Sequence, residues 1–443
     1  MSSTSIDRSP VPSSTRVVRG LTLALVALLS VGCAGNGALE RARVELRSGD
    51  PERALATLAE AEVPARNELL LLLDRGLVAH AAGRYRQSTV AFAEADALIE
   101  RLDRVSVSEQ SAALIVNDRV TNYRGESGER LWINTFQMLN YLALNEPEGA
   151  AVEARRALVE LDDHPETFAA DAVTRLLVAM SFEAAGQFDS ASVEYRKLAA
   201  DPAAPSGIVR AAWLNARRTA RPDEAAALAK RLDGIALADV EGEFAARDGQ
   251  LVLVLGSGFV PQKHSGDLFV SIDLRVAFPY YPEGVGAREP RVEVVLDGKR
   301  LETATVATRL VDVARASLAE RGKRIAVRQG ARAVAKYNIA HSVSSQDQLA
   351  GELVKFALFV LEQADTRSWE TLPATLSLIQ VRLPPGEHAL DVVVRDGALE
   401  RRATLSGVEI KAGQRTFRSL RPDVAGQPTD PTDAVMHYIA HPG

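Results

Sequence analysis

The chain reads as a multidomain α+β protein: an N-terminal helical repeat array, then an antiparallel β-sandwich-like domain with a helical insertion. Three observations predict this. Ala- and Leu-rich segments with helical spacing fill the first half, Gly-punctuated copies recur within it, and Val-rich alternation with Gly/Pro turns sets in only after about residue 250. The implied units are a leader at 1–32, the array at 33–242, the β domain at 250–420 with its insertion at about 309–363, and a tail at 421–443.

The leader comes first. Leu21–Val31 is apolar except for Thr22 and Ser30, and it is shorter than the about 20 residues that a membrane-spanning helix needs. Arg8, Arg16 and Arg19 precede it and small residues follow, which is the order of a secretory signal. Leu29-Ser30-Val31-Gly32-Cys33 resembles the lipobox of bacterial lipoproteins, with Ser30 at the place usually held by Leu. The resemblance implies cleavage before Cys33 and a diacylglycerol on its sulfur. Ala34, rather than Asp, then implies the outer membrane, facing the periplasm. Cys33 is the sole cysteine of 443 residues, so no intrachain disulfide can form, which suits an exported chain. Residues 1–32 carry Asp7 against three arginines, so the formal charge of −6 becomes −8 without them. That acidity argues against a nucleic-acid partner, which needs a basic face.

The array follows. "SGDPERALATLAEA" (Ser48–Ala61) aligns with "AGRYRQSTVAFAEA" (Ala82–Ala95) at an offset of 34 residues. Gly49 matches Gly83, Pro51 matches Tyr85, Ala54 matches Ser88 and Leu58 matches Phe92. Leu144–Ala157 and Ala185–Leu198 continue the pattern, with Asn145 and Gly186 at the turn, and Ala220–Leu232 is a weaker copy. These segments resemble tetratricopeptide repeats (TPRs). The turn residue bends the chain between two helices, a Pro or aromatic packs the turn, and a small residue lets the helices approach. The resemblance implies a concave face for a protein partner. An insertion near Leu102–Arg130 makes the array irregular. In the helix beyond it, Trp132, Phe136 and Leu139 share one face.

The β domain is read from "LVLVLGSG", "DLFVSIDLRVAFP", "PRVEVVLDGKRLETATV" and the strands after Thr375, with Asp297-Gly298 as a hairpin turn. Here the chain resembles a poorly characterised family of bacterial envelope proteins with TPR-like helices. The resemblance is carried by "YRGESGERLW", "GSGFVPQKH", "RAVAKY" and "ADTRSWETLPATLSLIQVRLPPGEH". It implies work in the cell envelope, in the context of peptidoglycan or envelope assembly, with no assigned reaction.

The signature residues admit two readings. In the first, Asp365 and Arg367 tie the insertion to the sandwich through charge-assisted hydrogen bonds, and Trp369 fills the junction. In the second, Lys263, Arg332, Lys336 and Arg367 form a cationic pocket for an acidic glycan or a peptide carboxylate. No zinc spacing, phosphate loop or G-x-S-x-G elbow is present, and no cofactor is expected. The expectation is a non-enzymatic, lipid-anchored scaffold that holds an envelope protein through its helices and the membrane through Cys33. The alternative is a glycan- or peptide-active enzyme, or a ligand-binding protein, with its site between the β domain and the insertion. The change of period near residue 250 further predicts two separate cores.

Overall fold

The computed structural model describes residues 37–113, 121–232, 248–271, 274–283, 289–322, 363–396 and 399–422. Cys33, Arg332, Lys336, most of the insertion and the tail lie outside the described residues.

Among the described residues the first half forms five helix hairpins: α1 (Gly37–Arg47) with α2 (Pro51–Ala59), α3 (Glu68–Ala81) with α4 (Tyr85–Ala113), α5 (Ser127–Ala143) with α6 (Pro147–Asp163), α7 (Ala172–Ala184) with α8 (Phe188–Ala199), and α9 (Ser206–Arg218) with α10 (Pro222–Ala229). All five turns share one geometry. A left-handed residue ends the first helix: Gly49, Gly83, Asn145, Gly186 and Ala220. The next N–H reaches back to a carbonyl of the preceding turn: Asp50 to Glu45, Arg84 to Ala79, Glu146 to Tyr141, Gln187 to Phe182 and Arg221 to Ala216, at 2.8–3.0 Å. This closure satisfies carbonyls that the helix end leaves open. Two residues after each left-handed position stands Pro51, Tyr85, Pro147, Phe188 or Pro222. Five residues after it a small side chain is buried: Ala54, Ser88, Ala150, Ala191 or Ala225. Helices α3 and α4 pack tightly at Gly76, where a Cβ would lie 2.4 Å from the Phe92 ring.

The second half holds ten strands among the described residues: β1 (Gly249–Ser257), β2 (His264–Ser271), β3 (Leu274–Tyr280), β4 (Arg291–Leu296), β5 (Lys299–Arg300), β6 (Ala304–Arg309), β7 (Thr375–Leu383), β8 (Gly386–Asp396), β9 (Leu399–Ile410) and β10 (Arg415–Leu420). Residues 310–322 form helix α11 directly after β6. One sheet has the order β10-β1-β7-β6, a second has β5-β4-β8-β9, and β2-β3 is a separate hairpin. The expected all-antiparallel pairing needs one correction: β1 and β10 are parallel. The turn after β9 brings Gln414 beside the start of β1, where Gln250 N donates to Gln414 O at 3.0 Å, so β10 starts from the same end as β1.

The two sheets enclose an apolar layer that includes Leu251, Leu253, Leu255, Ile379, Val381, Val392 and Leu405. Most of the opposite face of the first sheet is covered by the helices. Val252, Val254, Val306, Leu376, Leu378 and Phe417 belong to the same core as the helices. Strand β1 is therefore buried along its whole length, as an apolar run with two apolar faces requires. The expectation of two separate cores is corrected by this arrangement: array, sheet and sheet form three stacked layers. The first helix of each later pair makes the contact, with α5 on β10, α7 on β6 and β7, and α9 on β6.

Candidate functional site

The signature segment, residues 363–374, is irregular backbone between the array and the first sheet. Its charges are spent within the fold. Arg367 makes a two-pronged pair with Asp365, Nε to Oδ1 and Nη2 to Oδ2, both at 2.8 Å. The same guanidinium donates to Arg66 O at 2.9 Å, Asn67 Oδ1 at 3.1 Å and Thr121 O at 3.0 Å. Arg367 thus holds the segment to the array at the entry to α3, and the expectation that it ties the insertion to the sandwich is corrected. Trp369 is fully buried, edge-on to Phe92 of α4 and Phe136 of α5 at 5.7 and 6.1 Å.

Beside it lies a charged cluster built on the start of α5. The "ESGE" stretch forms a reciprocal cap, in which Glu126 N donates to Glu129 Oε2 at 3.0 Å. Glu129 also accepts from Tyr123 Oη at 2.5 Å and from Trp369 N at 2.7 Å. Glu126 Oε1 receives Lys263 Nζ at 2.6 Å and Arg321 of α11 at 2.7 Å. Lys263 donates onward to Arg367 O at 3.1 Å. Burial opposes ionisation of Glu126, but Lys263 and Arg321 outweigh it and hold the carboxyl below its ordinary range. Burial likewise opposes the charge on Lys263, and Glu126, Tyr281 and Glu129 together outweigh it, so the ammonium persists. A second set continues along the segment. Arg43 Nε donates to Asp74 at 3.0 Å, and Thr371 Oγ1 donates to Asp74 at 2.8 Å. Arg43 also pairs with Glu370 at 3.0 Å.

The void inside this cluster is about 10 Å³, the space of one water. Lys263, Asp365, Arg367 and Trp369 are therefore brought together, but as a clamp between layers. The cationic-pocket reading is corrected for Lys263 and Arg367, whose charges face internal acceptors; Arg332 and Lys336 lie outside the described residues.

Open space lies instead where array and sheet diverge at the lower end of β1. Along β1, β7 and β10 the apolar row facing the helices gives way to Gln250, Gln380 and Arg415. A bay of about 510 Å³ is lined on one side by Met180, Glu183, Phe188 and Arg218 and on the other by Arg415 and Phe417. A second bay of about 250 Å³ is lined by Gly207 and Arg210 of α9 and by Ala304, Gln380 and Arg382. The two share Asp248, Gln250 and Arg415 as their common wall. Glu183 anchors this wall: it accepts from Tyr195 Oη at 2.6 Å and pairs with Arg218 and Arg415. Burial opposes its ionisation, and the two guanidiniums outweigh it and hold it charged. Among the described residues, no group of His, Cys, Asp and Glu is placed to hold a metal ion, and no helix is long and apolar enough to cross a membrane.

No family model and no curated protein matches the sequence. Solved structures of MamA are similar over part of it. MamA AMB-1 is 14% identical, over 43% of this chain and 86% of that chain, with a TM-score of 0.30. MamA MSR-1 is 14% identical, over 46% and 95%, with a TM-score of 0.30. The S-layer protein rSbsC is 12% identical, over 82% and 43%, with a TM-score of 0.13. Superpositions at these scores carry no argument; the helical repeat rests on the shared geometry of the five turns.

Sequence reasoning singled out Lys263 and the Asp365–Trp369 stretch and missed their partners Glu126 and Glu129, and it missed Asp74, which Arg43 and Thr371 hold. The first two stood inside a quoted motif, where a capping pattern looks like helix punctuation. The trough residues carried one signal, a polar residue inside an apolar strand run: Gln250 before "LVLVL" and Gln380 within "LSLIQVRL".

Proposed function

We propose that this chain is a lipid-anchored bacterial envelope scaffold, non-catalytic, that presents the outer helices of its array to a protein partner. One observation carries the choice of surface. The inner helices α5, α7 and α9 pack on the chain's own sheet, so the concave face that such arrays offer to a partner is already filled. The expected partner surface therefore moves to the second helices. These carry exposed Val90 on α4, Val152 and Val159 on α6, and Phe188 and Val193 on α8. Val152 and Val159 are seven residues apart and share one face of α6. The lipobox resemblance at Cys33 supports the anchor.

A photo-crosslinker placed at Val159 in the native cell tests the reading. A discrete protein adduct is expected, lost when Val152→Glu is added and altered when Cys33→Ser releases the chain from the membrane. No adduct at Val159, with one at Val44 on α1, would overturn the choice of surface. A Cys33→Ser chain that still takes up labelled fatty acid and still fractionates with membranes would overturn the anchor.

A further inference from the structure

We infer that the trough between α9 and the first sheet binds the free C-terminal carboxylate of a peptide, with an apolar side chain of that peptide in the larger bay. This goes beyond the scaffold reading and does not depend on the anchor; it shares with the outer helices only Phe188, at the start of α8.

The first observation is a one-way relay of side-chain hydrogen bonds. Arg415 Nε donates to Gln250 Oε1 at 2.6 Å, and Gln250 Nε2 donates to Gln380 Oε1 at 3.3 Å. The relay ends at Gln380 Nε2, a donor with no acceptor, on a residue only 6% exposed. Such a group is costly to leave unpaired. It points toward the start of α9, 3.6 Å from where a Cβ on Gly207 would sit, and both residues line the smaller bay.

The second observation is the helix end itself. Helix α9 follows Pro205, and no side chain caps it. Ile208 N and Val209 N turn back to Pro205 O at 2.9 and 3.2 Å, so the N–H groups of Ser206 and Gly207, with the helix dipole, favour a negative oxygen there. Arg210 stands one turn further on, at the rim of the same bay. The bay's own carboxylates are Asp248 and Glu302, and Asp248 is already held by Arg382 at 3.0 Å.

A carboxylate fits these donors. The neighbouring wall narrows the ligand further. Gln250 and Gln380 offer an amide row suited to peptide groups, and the larger bay adds Leu142, Met180, Phe188 and Phe417 as an apolar surface. A chain with peptide groups, a side chain and a terminal carboxylate meets all three features. A free phosphate meets only the first.

The test is calorimetric titration of the full chain, in detergent, with N-acetyl-Leu-Ala-Ala as the free acid, with its C-terminal amide, and with inorganic phosphate. The free acid is expected to bind about tenfold more tightly than the amide, the worth of one charge-assisted hydrogen bond. Arg210→Ala, on a partly exposed position, is expected to weaken the acid without affecting the amide, and Gln380→Met is expected to weaken both, since either terminal group offers Gln380 Nε2 an acceptor. Arg86→Ala on the outer face of α4 is expected to leave both unchanged. Equal binding of acid and amide, binding of phosphate as tight as that of the acid, or no heat from the acid at about 10 mM would each overturn the inference.

Discussion

Lys263→Met removes the ammonium at the centre of the clamp. The side chain is wholly buried, and its partner Glu126 is 4% exposed. Removing one member of a buried ion pair costs about 3–5 kcal/mol, because the other charge is left without compensation. Arg321 still reaches the same oxygen of Glu126 at 2.7 Å, so the low end, about 3 kcal/mol, is expected. That is a large share of the about 5–15 kcal/mol that holds a typical fold. The assay is urea unfolding followed by far-UV circular dichroism, with the midpoint falling and the slope unchanged. Adding Glu126→Gln removes the stranded charge. The double variant should therefore recover part of the loss, with a coupling of about 1–3 kcal/mol. The pH dependence has a definite sign. Glu126 titrates below its unfolded value, so its contribution is present above that value and is lost as pH falls through the folded one. Removing Lys263 raises the folded value, and acid unfolding should begin at higher pH. A midpoint that stays put, or single losses that simply add in the double variant, would refute the clamp.

His80 joins layers, with Nδ1 2.7 Å from Asn140 of α5 and Nε2 2.7 Å from Ser419 of β10. Burial pushes its pKa down to about 4, so its neutral form stabilises the fold above its ordinary pKa and that stability is lost as pH falls toward the folded value. The unfolding free energy from urea titration should drop by up to about 1.4 kcal/mol per pH unit below 6.5, and His80→Gln should flatten that slope. Trp369→Ala should cost about 3–5 kcal/mol, read as a lower melting temperature, and Trp369→Phe clearly less. Ala220 holds a left-handed conformation at φ 53°, so Ala220→Gly should raise the unfolding free energy from urea titration by about 0.5–1 kcal/mol. A fragment spanning residues 37–232 should be helical by circular dichroism yet bind a hydrophobic dye and melt without cooperativity. A sharp melt from that fragment would restore the two-core reading.

How much was legible in advance differs by element. The repeats were readable because each turn needs a left-handed residue, a ring or Pro, and a small residue at short fixed spacings, and local geometry leaves its mark on local sequence. Even the weak copy at Ala220 conforms. The strands were readable from their alternation, and the burial of Trp369 from its place between helix-like and strand-like sequence, though not that it packs on Phe92 and Phe136 of the array. The candidate site was only half legible. Lys263 and Arg367 stood out as cations, and Asp365 stood two residues from Arg367, but Glu126, Arg66 O, Asn67 and Thr121 O, which also occupy them, lie before α3 and α5, more than a hundred residues away in sequence.

What the sequence determined by itself was the kind of element in each half and the closing geometry of every hairpin, because both follow from residues within a few positions of one another. Only the tertiary structure decided that the array's inner face is filled by the chain's own sheet. An apolar run such as β1 shows that both of its faces must be buried, but not by what. The same long-range placement turned the signature charges inward as a clamp and left the trough at the foot of β1 and β7, where Gln250, Gln380 and Arg415 keep sheet and helices from closing on an apolar seam.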